Sequence, residues 1–223
     1  MELRPVQQAA SPPDPSIGGS PPSAPATIDP MANVSALRSL ILAIDRRDNY
    51  TRLQGERATE LSLRIATAAG LLPDDLVVLS IAGPFHDVGR IVIADDILRN
   101  VGPLPIDDRD RMDEHATAGA AIVAALTDSP GVVALVRHHH EWFNGRGYPA
   151  GLRGEEITIA TRVFAIADAY TAMTADRPYR RALDGDHAIA EVCSGMGTQF
   201  DPELVRIFER VMVQEWERTA RVA

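Results

Sequence analysis

Two short stretches put chemistry-bearing side chains next to each other: His86-Asp87 in HDVGR and His139-His140 in RHHHEW. His115 stands between them, and Asp168 follows in VFAIADAY. Neutral imidazoles and carboxylates together suit a borderline divalent metal such as Fe, Mn, Co, Ni or Zn. Six candidate ligands make a pair of ions natural, with Asp87 able to bridge them. Two neighbouring ions can activate water for in-line attack on phosphorus and stabilise the leaving oxygen. Asp168 is informative because a carboxylate in so apolar a context is costly to bury unless paired or metal-bound. Singly, each residue has a plainer reading. His115 could be structural, and His187 in DGDHAIAE a surface residue at a helix start. His138, His139 and His140 could form a solvated helix end, and Asp168 could pair with an arginine such as Arg162. Their order along the chain, one per helix and connection, argues for a common focus.

The elements that must position these residues are helices. VSALRSLILAIDRRD and TRLQGERATELSLRIATAAG carry apolar residues at helical spacing, and Gly70 suits the end of the second. Pro73 opens PDDLVVLSIAGPFHD with acids in its first turn. A looser stretch, GRIVIADDILRNVGPLP, precedes DDRDRMDEHATAGAAIVAAL. Ser129 is a plausible N-cap for SPGVVALVRHHHEW, with Pro130 in the first helical position. A glycine-rich loop, FNGRGYPAGLRGEE, separates this from ITIATRVFAIADAYTAMTAD. DGDHAIAEVCSGMG and DPELVRIFERVMVQEWERTA complete the chain. Strand signals are weak: RIVIA is short. The expected class is all-α, a bundle of about seven or eight helices spanning residues 31–223.

Residues 1–30 hold half of the 16 prolines, so this leader is expected to be disordered. No apolar run approaches the ~20 residues of a membrane span. The N-terminus has no secretory h-region. The single cysteine, Cys193, cannot form an internal disulfide and suits a small apolar helix position. A reducing cytoplasm fits. The net charge of −9 argues against broad binding to nucleic acid or anionic membrane. It leaves room for a small anionic substrate at a local positive site. All 22 basic residues are arginine.

The chain resembles the HD-GYP family, a branch of the HD metal-dependent phosphohydrolases, over residues 45 to 210. HDVGR is similar to the family's HDxGK, HHEWFNGRGYPAGLRG to its HHE…GxGYPxGLxG loop, IADAYTAMTADRPYRRAL to its D…ALTxxRPYR segment, and GTQFDPELVRIF to its closing G…FDPxLV. The resemblance implies a helical fold, two or three bound metals, and hydrolysis of cyclic di-GMP to pGpG or GMP in bacterial signalling. Two divalent ions, iron or manganese, are the implied cofactors. The implied metal ligands are His86, Asp87, His115, His139, His140 and Asp168. Asp87 and Arg90 are the implied catalytic residues, and Arg90, Gly147, Tyr148, Arg177 and Arg180 the implied substrate contacts. Arginine forks suit phosphate oxygens, and a tyrosine ring suits stacking on guanine. Signalling proteins are possible partners, since no sensory or receiver segment is visible.

The sequence departs from the family pattern in four places. Arg90 replaces a lysine, keeping the charge but not the geometry. Gln54 stands in YTRLQGERA where the family has a metal-binding histidine, and a carboxamide oxygen is the weaker ligand. Glu56 and Glu60 point to other parts of the helix surface. Tyr50 stands where some members supply a further ligand, so a third metal is not expected. Thr171 replaces the second aspartate of DxxDA. Two readings stay open: a two-metal phosphodiesterase with one ion held less tightly, or a degenerate module that binds nucleotide or a partner protein. A general HD phosphohydrolase is a third, which the GRGYP loop disfavours.

Overall fold

A computed structural model describes residues 30–48, 51–176 and 181–220. The leader, apart from Pro30, lies outside the described residues, as do Tyr50, Arg177 and Arg180. Among the described residues the fold is all-helical, with no strand beyond two isolated bridges. The α-helices are α1 (Pro30–Asp48), α2 (Thr51–Ala68), α3 (Pro73–Ala82), α4 (Asp95–Leu98), α5 (Ile106–Ala124), α6 (Pro130–His138), α7 (Ile159–Met173), α8 (Gly185–Ser194) and α9 (Pro202–Ala220). α4 is a single turn, so eight are of substantial length. RIVIA falls largely in a 3-10 turn, Val88–Val92.

Local chemistry sets most boundaries. Pro73 and Pro130 sit in the first turns of α3 and α6. The Ser129 hydroxyl accepts from the Val132 N–H, and the Asp184 carboxylate accepts from the His187 N–H. Gly70, at φ +70°, closes α2. One expected helix ends differently. The run through PFHD leaves α-helical geometry at Gly83 and continues as a 3-10 turn, Gly83–Phe85. His86 and Asp87 thus lie between two 3-10 turns rather than at the end of an α-helix.

The core is centred on α2 and α7, which pack along their lengths. α2 buries Gly55, Ala58, Leu61, Ser62, Ile65 and Ala66 at spacings of three and four. α7 answers with Ala160, Val163, Phe164, Ala167 and Thr171. Small residues on both sides let the backbones approach. Leu79 of α3, Leu135 of α6 and Phe208 of α9 join this core, as do Ile44 of α1 and Val123 of α5. Each such fully buried side chain contributes about 1.5–3 kcal/mol over its exposed state. Cys193 is half-buried and packs on the same core.

α5 is pressed against the Val88–Val92 turn. A Cβ at Gly89 would lie 1.9 Å from the His115 carbonyl oxygen and 2.5 Å from the Gly119 nitrogen. Glycine in HDVGR is therefore demanded by backbone contact between two site-bearing elements. Gly89→Ala should destabilise the fold by about 1–3 kcal/mol through overpacking, read as a lower urea midpoint with an unchanged slope. A midpoint equal to the parent's would contradict this packing.

Candidate metal centre

Four elements deliver the cluster: the turn after α3 (His86, Asp87), α5 (His115), the end of α6 (His139, His140) and α7 (Asp168). Asp87, His115, His139 and His140 each offer one ligand atom, all within 4.8 Å of one another. His86, Asp87, His115 and His139 are almost wholly buried.

The imidazoles share one local device. The ring Nδ1 of His86 lies 2.8 Å from the Gly83 carbonyl, that of His115 2.7 Å from Met112, and that of His139 2.8 Å from Val136. A carbonyl only accepts, so each Nδ1 carries the proton and donates it three residues back. Each Nε2 is thereby turned inward, the arrangement that orients metal-binding histidines. Nε2 of His115 and of His139 face each other at 3.4 Å.

Asp87 stands between two groups of partners. Its Oδ2 lies 2.8 Å from Arg90 Nη2 and 3.3 Å from His86 Nε2. Its Oδ1 lies 3.3 Å from His115 Nε2 and 3.8 Å from His139 Nε2. That Oδ1 is buried and receives no hydrogen bond. A carboxylate oxygen without a donor, facing two imidazole lone pairs, suits a divalent cation and little else. On this donor set the residues fit a metal.

The electrostatics agree. Burial would raise the Asp87 carboxyl, but Arg90 and His86 hold it well below its usual range. Burial opposes charge on His86, yet Asp87 and Asp168 prevail and raise it to about 9. Burial, with neighbouring imidazoles adding, drives His139 far down and His140 to about 3. Burial lowers His115 too, against Asp87. The three histidines nearest Asp87 Oδ1 and its surroundings are thus neutral, as ligands must be.

Asp168 sits at the edge of the cluster, its Oδ1 3.5 Å from His86 Nε2, with 16% of its side chain exposed. Arg162 pairs with Asp201 instead. Gln54 is 4% exposed and bonds to Asp168 and Thr171. Glu56 and Glu60 are on the outer face, with Glu56 paired to Arg52. His138 stands apart beside Glu141. His187 is exposed and bonded to Asp184 at 2.5 Å, the surface role expected for it.

The Tyr148 ring packs 4.9 Å from that of His140, tilted by 31°. Burial, followed by the nearby Asp113 carboxylate, raises its pKa. Tyr148 therefore braces His140, a contact the sequence did not foretell. A Cβ at Gly147 would meet Trp142 N at 2.3 Å and His140 O at 2.4 Å, so close backbone approach explains this glycine. Gly145 needs its freedom for another reason, φ +82°.

Two supporting residues escaped the sequence analysis. Glu141, next to the ligands, accepts from the N–H groups of Ala150 (2.6 Å) and Leu152 (3.1 Å) and so folds the GYP loop back on itself. Arg47 of α1 donates to the carbonyls of Arg90, Ile91 and Ile93 and pairs with Asp95, fixing the turn that bears Arg90. HHE in one case and the last-turn RR in the other were the available signals, but neither names its distant partners. The loop is also strapped to the closing motif, Phe143 N to Gln199 O at 3.0 Å and Asn144 N to Thr198 O at 2.9 Å.

Residues 39–204 match the family model described as HD domain. The chain is 34% identical over 172 residues to a cyclic di-GMP phosphodiesterase response regulator of Xanthomonas campestris, covering 76% of this chain and 45% of that protein. It is 35% identical over 176 residues to a cyclic di-GMP phosphodiesterase of Thermotoga maritima, covering 77% and 47%. A 3'3'-cGAMP-specific phosphodiesterase of Vibrio cholerae is 30% identical, with 76% and 37% covered. The chain thus spans less than half the length of these relatives. Among solved structures, a cyclic GMP-AMP-specific phosphodiesterase from V. cholerae superposes with TM-score 0.63 at 19% identity, covering 80% of this chain and 48% of that one. An HDG"Y"P protein from Bdellovibrio bacteriovorus gives 0.61 at 16%, covering 82% and 62%. At these identities the likeness is one of fold.

Replacing Glu141 by alanine should leave the Ala150 and Leu152 amides without their carboxylate. Two charge-assisted bonds are lost, on the order of 3 kcal/mol. Hydrogen exchange at both amides should speed up markedly while that of α2 is unchanged. Unchanged protection would show that the loop is held by other means.

Proposed function

The chain belongs to the HD domain family, and on that premise we propose that it is a metal-dependent phosphodiesterase hydrolysing cyclic di-GMP to pGpG or GMP. The observation that carries the reading is the donor-free Asp87 Oδ1 facing neutral His115 and His139. The names of the relatives supply the substrate class. No helix of the described residues is long and apolar enough to cross a membrane. Together with the lone cysteine this supports a cytoplasmic site of action, with protein partners conveying the signal.

Divalent ions, iron or manganese and two when fully loaded, would supply the Lewis acidity that activates water and polarises the phosphoryl oxygen. Asp87, His115, His139 and His140 would hold one ion, and His86 and Asp168, beside Asp87, would hold the other. The Nδ1 bonds to Gly83, Met112 and Val136 fix the ring planes in advance, so little reorganisation accompanies binding. Arg90 is held at the rim by Asp87 and by the backbone that Arg47 fixes. From there it neutralises charge that grows on the phosphate in the transition state. Arg177 and Arg180 are proposed to assist from beyond the described residues. Gly147 and Tyr148 form the wall on the His140 side, against which the nucleotide lies.

Purified protein, loaded anaerobically with Fe(II) or with Mn(II), should convert cyclic di-GMP to linear product on chromatography. The Asp87→Ala variant should be inactive, and Arg90→Ala should lose on the order of 10²-fold in kcat/KM. 3'3'-cGAMP run in parallel decides between the two dinucleotide classes. Folded, ion-loaded protein that cleaves neither would overturn the phosphodiesterase reading and leave a binding module.

A further inference from the structure

Two departures from the family pattern, Gln54 and Thr171, are hydrogen-bonded to each other although 117 residues apart in the chain. Gln54 Nε2 lies 2.8 Å from Asp168 Oδ1, 3.0 Å from the Asp168 carbonyl and 3.1 Å from Thr171 Oγ1. The carboxylate and the carbonyl only accept. The Thr171 hydroxyl donates its own proton to the Ala167 carbonyl at 2.8 Å. The Gln54 atom facing all three must therefore be the NH2 group and not the carbonyl oxygen.

This inverts what a metal ligand would do. Where the family pattern has an imidazole lone pair, this chain aims N–H donors at the carboxylate oxygen that would bind the ion. Asp168 Oδ1 already accepts a hydrogen bond from the Gln54 amide. Asp87 Oδ1, by contrast, has no competing donor.

Resting on the metal-dependent reading above, we propose that the two ion positions are loaded unequally because Gln54 is a positioning residue that holds Asp168 back. The Asp87–His115–His139–His140 set takes the first ion. The second binds about 10–100-fold more weakly, the range in which partners of ligands tune affinity. Admitting it would break the hydrogen bond that the Gln54 NH2 group donates to Asp168 Oδ1, or turn the carboxamide over at the expense of its hydrogen bonds to the Asp168 carbonyl and Thr171. Gln54 and Thr171 act together: Thr171 Oγ1 accepts from the same amide group that is bonded to Asp168.

The test is a titration of chelator-treated full-length protein with Mn(II), free ion being followed by its EPR signal and bound ion by elemental analysis after gel filtration. The parent should retain one Mn per chain and take a second with a Kd about 10–100-fold higher. Gln54→His should take two with similar affinity and show an exchange-coupled dimanganese signal that the parent lacks at one equivalent. Gln54→Ala, which offers neither donor nor ligand, should bind the second ion at least as tightly as the parent. Two equally tight ions in the parent, or a second site weakened in Gln54→Ala, would overturn the proposal while leaving the metal-dependent reading intact. No ion retained by folded parent would overturn both. If a variant fails to fold by circular dichroism, the two dissociation constants of the parent decide alone.

Discussion

A buried carboxylate oxygen with no proton donor is the constraint around which this structure is organised. Asp87 is almost wholly removed from water, and its Oδ1 is aimed at imidazole nitrogens that carry no proton. Such an oxygen is tolerable only where positive charge can be brought to it. The chain prepares for that charge with backbone carbonyls. Each of three histidines gives its Nδ1 proton to the carbonyl three residues earlier. The carbonyls belong to 3-10 or α-helical turns, so the ring orientation is set by the same backbone that carries the residue.

Packing brings these turns together at distances few sequences could reach. Gly89 lets the HDVGR turn touch the backbone of α5 at His115, and Gly147 lets the GYP loop touch the backbone at His140. Gly55 plays the same part between α2 and the carbonyls of Gly83 and Pro84. The site's precision thus comes from backbone-to-backbone contact, which varies less than contact through flexible side chains. Around it stands a ring of braces: Arg47 on the turn, Glu141 on the loop, Tyr148 on His140, and Asp201 pairing Arg162 while capping the start of α9.

The two sides of the centre differ in character. Around Asp87 Oδ1 the partners are neutral imidazoles whose protons are committed elsewhere. Around Asp168 the nearest hydrogen-bonding partner is a donor, the Gln54 amide. The chain as a whole is acidic, with net charge −9, so an anionic substrate of the kind proposed would depend on local positive charge such as Arg90 and bound ions would provide.

The helices are legible in the chain alone, because their signals are local. Pro73, Pro130, Ser129 and Gly70 act on their own backbone or on residues within one turn, and the apolar spacing of α2 and α7 states which face is buried. The chain alone also singles out the residues that the fold gathers around Asp87, because an imidazole or carboxylate in the right order on successive helices is visible without coordinates. Direction comes from folding: which atom each side chain presents, and to what. Gln54 reads in the sequence as a weak ligand, and only its contact with α7 shows that it offers protons. Glu141 and Arg47 read as ordinary charges near helix ends, since their partners are backbone groups brought close by folding. Tyr148 reads as an open ring, and packing turns it against His140. A residue's type is fixed by the chain, but the partner that decides whether its lone pair or its proton faces the centre comes from another helix.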